Sequence, residues 1–160
     1  MQKVSWLIIA ALIITGFSFV THAGSKPEHD FPVGDMTQEQ VLEHQGFKQS
    51  FDNFSLTEDE RDKVQMWGKD IRIDVFFAIW CHDSEREVPR LLKALETKPG
   101  AQIKLYALDV KKSDPKGLAK LNKVKYTPTM IVYVDDKEVG RVIERPEVSL
   151  VEDIHQLLVK

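Results

Sequence analysis

Between Ile71 and Leu158 short β-rich runs alternate with amphipathic helical ones, and their order leaves few folds open. IRIDVFFAI (71–79) is a β-rich run, and Val88, Leu91, Leu92 and Leu95 then recur at helical spacing between Ser84 and about Thr97. QIKLYALDV (102–110) is a second strand, and Leu118 and Leu121 mark a short helix within Asp114 to Val124. TMIVYV (129–134) and EVGRVIE (138–144) flank Asp135-Asp136-Lys137, which reads as a hairpin turn. Leu150, Ile154, Leu157 and Leu158 place an amphipathic helix at the end. Strands joined through a helix lie parallel, and strands joined by a tight turn lie antiparallel. The order β-α-β-α-β-β-α therefore predicts an α/β domain, a mixed sheet flanked by helices on both faces.

Upstream, Thr37 can cap a short helix through Glu43, and Thr57 with Glu60 forms a capping-box pattern opening a helix to about Trp67. Phe47, Phe51 and Phe54 lie between them at helix-like spacing, suited to packing on the core. This predicts an N-terminal helical extension over 37–56 ahead of a domain over 57–160. Residues 24–36 (GSKPEHDFPVGDM) are polar and rich in glycine and proline, and read as a linker. The first 23 residues join Lys3 to an apolar run, WLIIAALIITGFSFV, and end at Thr21-His22-Ala23. That is the pattern of a signal peptide cleaved before Gly24. The alternative is an uncleaved membrane anchor, because the run is near the lower length limit for a spanning helix. Both place the rest of the chain outside the cytoplasm, periplasmic or secreted.

The chain has 160 residues, 42% of them apolar, enough for one ordinary core. Its 22 basic residues are scattered among 25 acidic ones for a net charge of −3, so no basic stripe suits a phosphate backbone and nucleic acid is not expected as a partner. No cofactor and no metal site is expected. Exported proteins use cysteines in pairs, yet Cys81 is the only one here. It stands in IWCHDSEREVP (79–89), where a strand hands over to a helix. The unsatisfied N–H groups and positive dipole end of a helix N-terminus favour thiolate over thiol, which makes Cys81 a candidate nucleophile. Ser84 can donate a hydrogen bond to the sulfur, and His82 adds positive charge when protonated, while Asp83 opposes both. Plain helix capping accounts for Ser84 and Asp83 equally well, and a solvated loop histidine is the commoner reading of His82. A buried, inert thiol is the alternative for Cys81 itself.

Trp80-Cys81 at the strand-to-helix corner, Pro89 eight residues beyond the cysteine, and Tyr126-Thr127-Pro128-Thr129 before a β-run together resemble the thioredoxin family over about residues 57–160. The resemblance implies a thioredoxin-like fold with a helix-kinking Pro89 and a cis Pro128. It also implies a substrate surface that includes Trp80, Thr127 and Pro128, where an extended chain could pair beside the sulfur.

The sequence departs from the family pattern at several points. Ser84 stands where the second thiol of a C-x-x-C motif would be; Val75 stands where the family has a buried acidic residue; Ala107 is near the place of its partner lysine; Arg145 is near the place of a groove glycine. One sulfur can form a mixed disulfide, but no second thiol in the motif can expel the partner. Protein or small-molecule thiols and disulfides are therefore the expected partners, with an external thiol as reductant and membrane only if the first segment stays attached. The expected chemistry is monothiol exchange, of an isomerase-like or thiol-capturing kind. The rivals are a non-catalytic thioredoxin-fold binding module and a homodimer linked through Cys81.

Overall fold

A computed structural model describes residues 31–68 and 70–160. The expected signal peptide over 1–23 and the linker residues 24–30 lie outside the described residues. The elements run β1 (Gly34–Met36), α1 (Gln38–Leu42), α2 (Gln45–Asn53), α3 (Glu58–Met66), β2 (Ile71–Phe77), α4 (His82–Leu95), β3 (Gln102–Ala107), α5 (Leu118–Leu121), β4 (Thr129–Val134), β5 (Lys137–Ile143) and α6 (Leu150–Leu158). They form one sheet in the order β1-β3-β2-β4-β5. β2 and β3 pair parallel, while β4 lies antiparallel to both β2 and β5. The parallel and antiparallel halves follow the order of runs in the sequence.

The expected Thr57 capping box forms, and the Thr37 cap is a capping box as well. The Thr37 side chain accepts the Gln40 N–H and the Thr57 side chain accepts the Glu60 N–H, and each third residue answers the cap backbone in return. Two donors at each helix start are thereby satisfied, which sets where α1 and α3 begin.

The stretch read as linker differs at its end. Gly34, Asp35 and Met36 pair antiparallel with Ala107, Tyr106 and Leu105, so the polar segment closes part of the β3 edge. Three residues are too few to show alternation, and the pairing comes from β3 rather than from any local preference. An ion pair between Lys116 and Asp35 lies beside it. The helix expected over 114–124 is also shorter than its pattern. The Asp114 carboxylate accepts the N–H groups of Lys116 (3.0 Å), Leu118 (3.1 Å) and Ala119 (2.7 Å), and Gly117 at φ +69° turns the chain into α5.

Residues 31–160 form one compact unit. Ile73, Val75 and Phe77 of β2 meet Met130 and Val132 of β4 and the apolar sides of α1 to α4 and α6 in one core. Phe47 of α2 sets its ring edge-on to Phe77, with centroids 5.9 Å apart, so the helical extension shares that core. Burying one such side chain stabilises the fold by about 1.5–3 kcal/mol. Gly46 of α2 faces the Glu85 carboxylate of α4, the far end of a flexible side chain. The other sheet face carries a smaller cluster of Phe76, Leu108, Ala119 and Ile131, on which α5 rests.

Candidate active site

The end of β2 and the start of α4 place the sulfur. The Cys81 N–H donates to the Ala78 carbonyl at 3.1 Å, and the Cys81 carbonyl accepts the Glu85 N–H at 2.9 Å. Cys81 is the N-cap residue of α4 in extended geometry (φ −99°, ψ 119°), so its half-buried side chain sits at the positive end of a 14-residue helix. Pro89 lies within that helix. The thiol donates to the Thr127 carbonyl at 3.1 Å. The Thr127–Pro128 peptide bond is cis, and both residues are buried. The structure therefore brings Cys81, preceded by Trp80, against Thr127 and the adjoining Pro128 from a distant part of the sequence.

Trp80 is half-buried, and its ring is faced by the Lys112 ammonium 5.6 Å from the centroid. Its indole Nε1 is buried and has no hydrogen-bond partner among the described residues. His82, the first residue of α4, is exposed, and its side chain makes no hydrogen bond among the described residues. Ser84 is fully buried, and its Oγ accepts the Ala78 N–H at 3.2 Å. Among the described residues no hydrogen bond joins Ser84 to Cys81. Nothing in the sequence could show this, because the direction of a serine one turn into a helix depends on how the preceding strand ends.

Asp83 sits at the crossing of a charge network that sequence reasoning did not assemble. Its Oδ1 accepts from Arg86 Nη2 at 2.8 Å and from Arg145 Nε at 3.1 Å. Arg86 also donates to the buried Glu87 at 2.5 Å, and Arg90 reaches the same Glu87 oxygen at 3.3 Å. Burial works to raise the Asp83 carboxyl, but hydrogen bonds from Arg86 and Arg145 outweigh it and hold the group below the usual carboxylate range. Asp83 and Arg145 are 62 residues apart, so no local signal links them. The backbone brings them together, because the Glu144 N–H donates to the Pro128 carbonyl at 2.7 Å.

Val75 and Ala107 are fully buried and apolar, so neither brings an ionisable group to the core behind Ser84. Asp74 lies on the opposite face with Ile131 as its cross-strand partner. It is 8% exposed, and Arg72 Nε lies 3.6 Å from its Oδ1. Burial pushes its carboxyl up, opposed by Arg72 and Lys104. Among the described residues no group of three or more histidine, cysteine or acidic side chains is arranged to hold a metal.

The family model described as Thioredoxin matches residues 32–154. A crystal structure of a protein of unknown function from Pseudomonas aeruginosa is similar at 18% identity, with a TM-score of 0.53, covering 76% of this chain and 81% of that one. An HIV epitope scaffold is similar at 17% identity and a TM-score of 0.51, covering 74% of this chain and 73% of its own. A thioredoxin mutant from Halobacterium salinarum aligns at 18% identity and a TM-score of 0.41, covering 65% of this chain and 83% of its own. No curated protein matches the sequence. The structural likenesses bear on fold alone. With the family model spanning most of the described sheet and helices, the chain belongs to the thioredoxin family.

Proposed function

We propose that the protein is exported and performs thiol–disulfide exchange through the single nucleophilic sulfur of Cys81. The observation that carries this reading is the position of that sulfur, half-exposed at the N-terminus of α4 and 3.1 Å from the Thr127 carbonyl beside Pro128. A thiolate there attacks one sulfur of a disulfide. One S–S bond forms, the old one breaks, and the departing sulfur keeps the bonding electron pair as a thiolate. The chain has no second cysteine, so release requires a second thiol on the substrate or an external thiol. His82 adds positive charge beside the sulfur when protonated, and Ser84 fixes the turn that presents it. Protein or small-molecule disulfides are the substrates this chemistry takes.

Incubating the purified protein with hydroxyethyl disulfide and weighing it intact tests the reading. A stoichiometric adduct forms on the folded protein, is lost in Cys81→Ala, and persists until external thiol is added. An adduct that forms only in urea overturns it. Such a result would favour the second reading, a non-catalytic thioredoxin-fold binding module. The buried apolar Val75 and Ala107 support that module, because they leave no ionisable group behind Ser84. Export rests on the sequence pattern that ends at Ala23. Expression in a secreting bacterial host followed by intact mass checks it, and a membrane-bound species retaining residues 1–23 refutes cleavage.

A further inference from the structure

We infer that Arg145, held by Asp83, reads a carboxylate on the substrate and gives Cys81 a preference for disulfides with a negative charge near the reacting sulfur. The inference rests on the exchange reading above and names its substrate class.

Arg145 follows the Glu144 backbone that is bonded to Pro128, so it leaves the chain directly beside the Thr127–Pro128 turn. Its Nε donates to Asp83, two residues beyond Cys81, and the guanidinium thus spans from the β5 end to the first turn of α4. Asp83, Ile143, Glu144 and Arg145 line a shallow cleft of about 400 Å³ at this point. The Arg145 side chain is 71% exposed, and its Nη groups make no hydrogen bond among the described residues. A guanidinium fixed through Nε keeps an edge of N–H donors free, which fits the two oxygens of a carboxylate. Arg86 shares the same Asp83 oxygen, so Asp83 is held from two sides and holds Arg145 in turn. Glu144 is exposed and carries the opposing charge, so the preference comes from the guanidinium edge and not from a broad positive field.

An anionic disulfide docks its carboxylate on Arg145 while its near sulfur meets Cys81. The exchange itself is unchanged: the new S–S bond forms at Cys81 and the departing fragment leaves as a thiolate. Because the guanidinium is exposed, the gain is modest, about three- to fivefold in adduct-formation rate.

Three disulfides of different charge test this on the full chain: dithiodipropionate, hydroxyethyl disulfide and cystamine. Rates of adduct formation at Cys81 are divided by those of free N-acetylcysteine amide, a thiol with no carboxylate, with the same reagent, which removes intrinsic reactivity. The wild type favours the anionic reagent over the neutral one by about three- to fivefold, Arg145→Gln removes that ratio, and Arg145→Glu turns it toward cystamine. Raising the salt concentration shrinks the wild-type ratio, a readout that needs no variant. If the neutral reagent reacts but the anionic preference is absent, or survives in Arg145→Gln, the inference is overturned while the exchange reading stands. If none of the three reacts with the folded wild type, the exchange reading fails, and this inference fails with it.

Discussion

The Ser84 hydroxyl accepts the Ala78 N–H at 3.2 Å, which ties the first turn of α4 to the end of β2. In a family whose motif holds a second thiol at this place, the hydroxyl here secures the backbone that presents the first one.

Ser84→Ala leaves the Ala78 N–H buried without that acceptor. The expected loss is about 1–3 kcal/mol of stability, read from urea unfolding. An unchanged unfolding midpoint would show that the bond does not hold the turn.

Ser84→Cys places a thiol one helical turn from Cys81. In that variant an adduct at Cys81 is released without external thiol, and the product weighs two hydrogen atoms less than the reduced chain. Val75 and Ala107 give the new buried thiol no ionisable neighbour, so release quickens as pH rises. Adducts that persist as long as in the wild type would show that a thiol turned toward Ala78, as the hydroxyl is, does not reach Cys81.

Asp74 supplies a pH dependence whose sign follows from burial. Its carboxyl is raised in the fold, so ionisation costs stability, and that cost is present once pH exceeds the raised folded value. Below about pH 3.9 the group is protonated in folded and unfolded chains alike, and the cost vanishes. Asp74→Asn therefore raises the melting temperature at pH 7, with the gain shrinking toward pH 3. Arg72 keeps Asp136 at 3.5 Å and the Tyr133 ring at 4.1 Å, so the substitution does not orphan it. A lower melting temperature at pH 7 would mean that the Arg72 pairing outweighs burial.

Phe47 tests whether the helical extension is part of the core. Phe47→Ala opens a cavity against Phe77 and is expected to cost about 3–5 kcal/mol. A single, coincident unfolding transition at lower denaturant by fluorescence and circular dichroism is the expected signature. A separate early transition would assign α1 and α2 to an independent layer.

Elements with local chemistry were legible in the sequence. The Thr57–Glu60 capping box, the Thr37 cap, the apolar spacing of α4 and α6, and the turn at Asp135-Asp136 all depend on residues a few positions apart. β1 was not legible, because its pairing belongs to β3, and α5 was overestimated because the Asp114 carboxylate takes backbone donors that a longer helix would have used. At the site, Trp80 and Cys81 could be located beside Thr127 and Pro128 only through the family resemblance. The orientation of Ser84 into the fold and the Arg145–Asp83 link depend on side-chain directions and long-range contact, which no single sequence displays.

A lone sulfur also changes what oxidation means for this molecule. A disulfide needs two sulfurs, and Cys81 is the only one of its kind in the chain. Each oxidised copy with a disulfide must therefore carry another molecule, and its mass records which one. Disulfide state and bound cargo become the same variable. A population drawn from its native compartment under thiol-blocking conditions would be an inventory of recent encounters, readable by weighing alone.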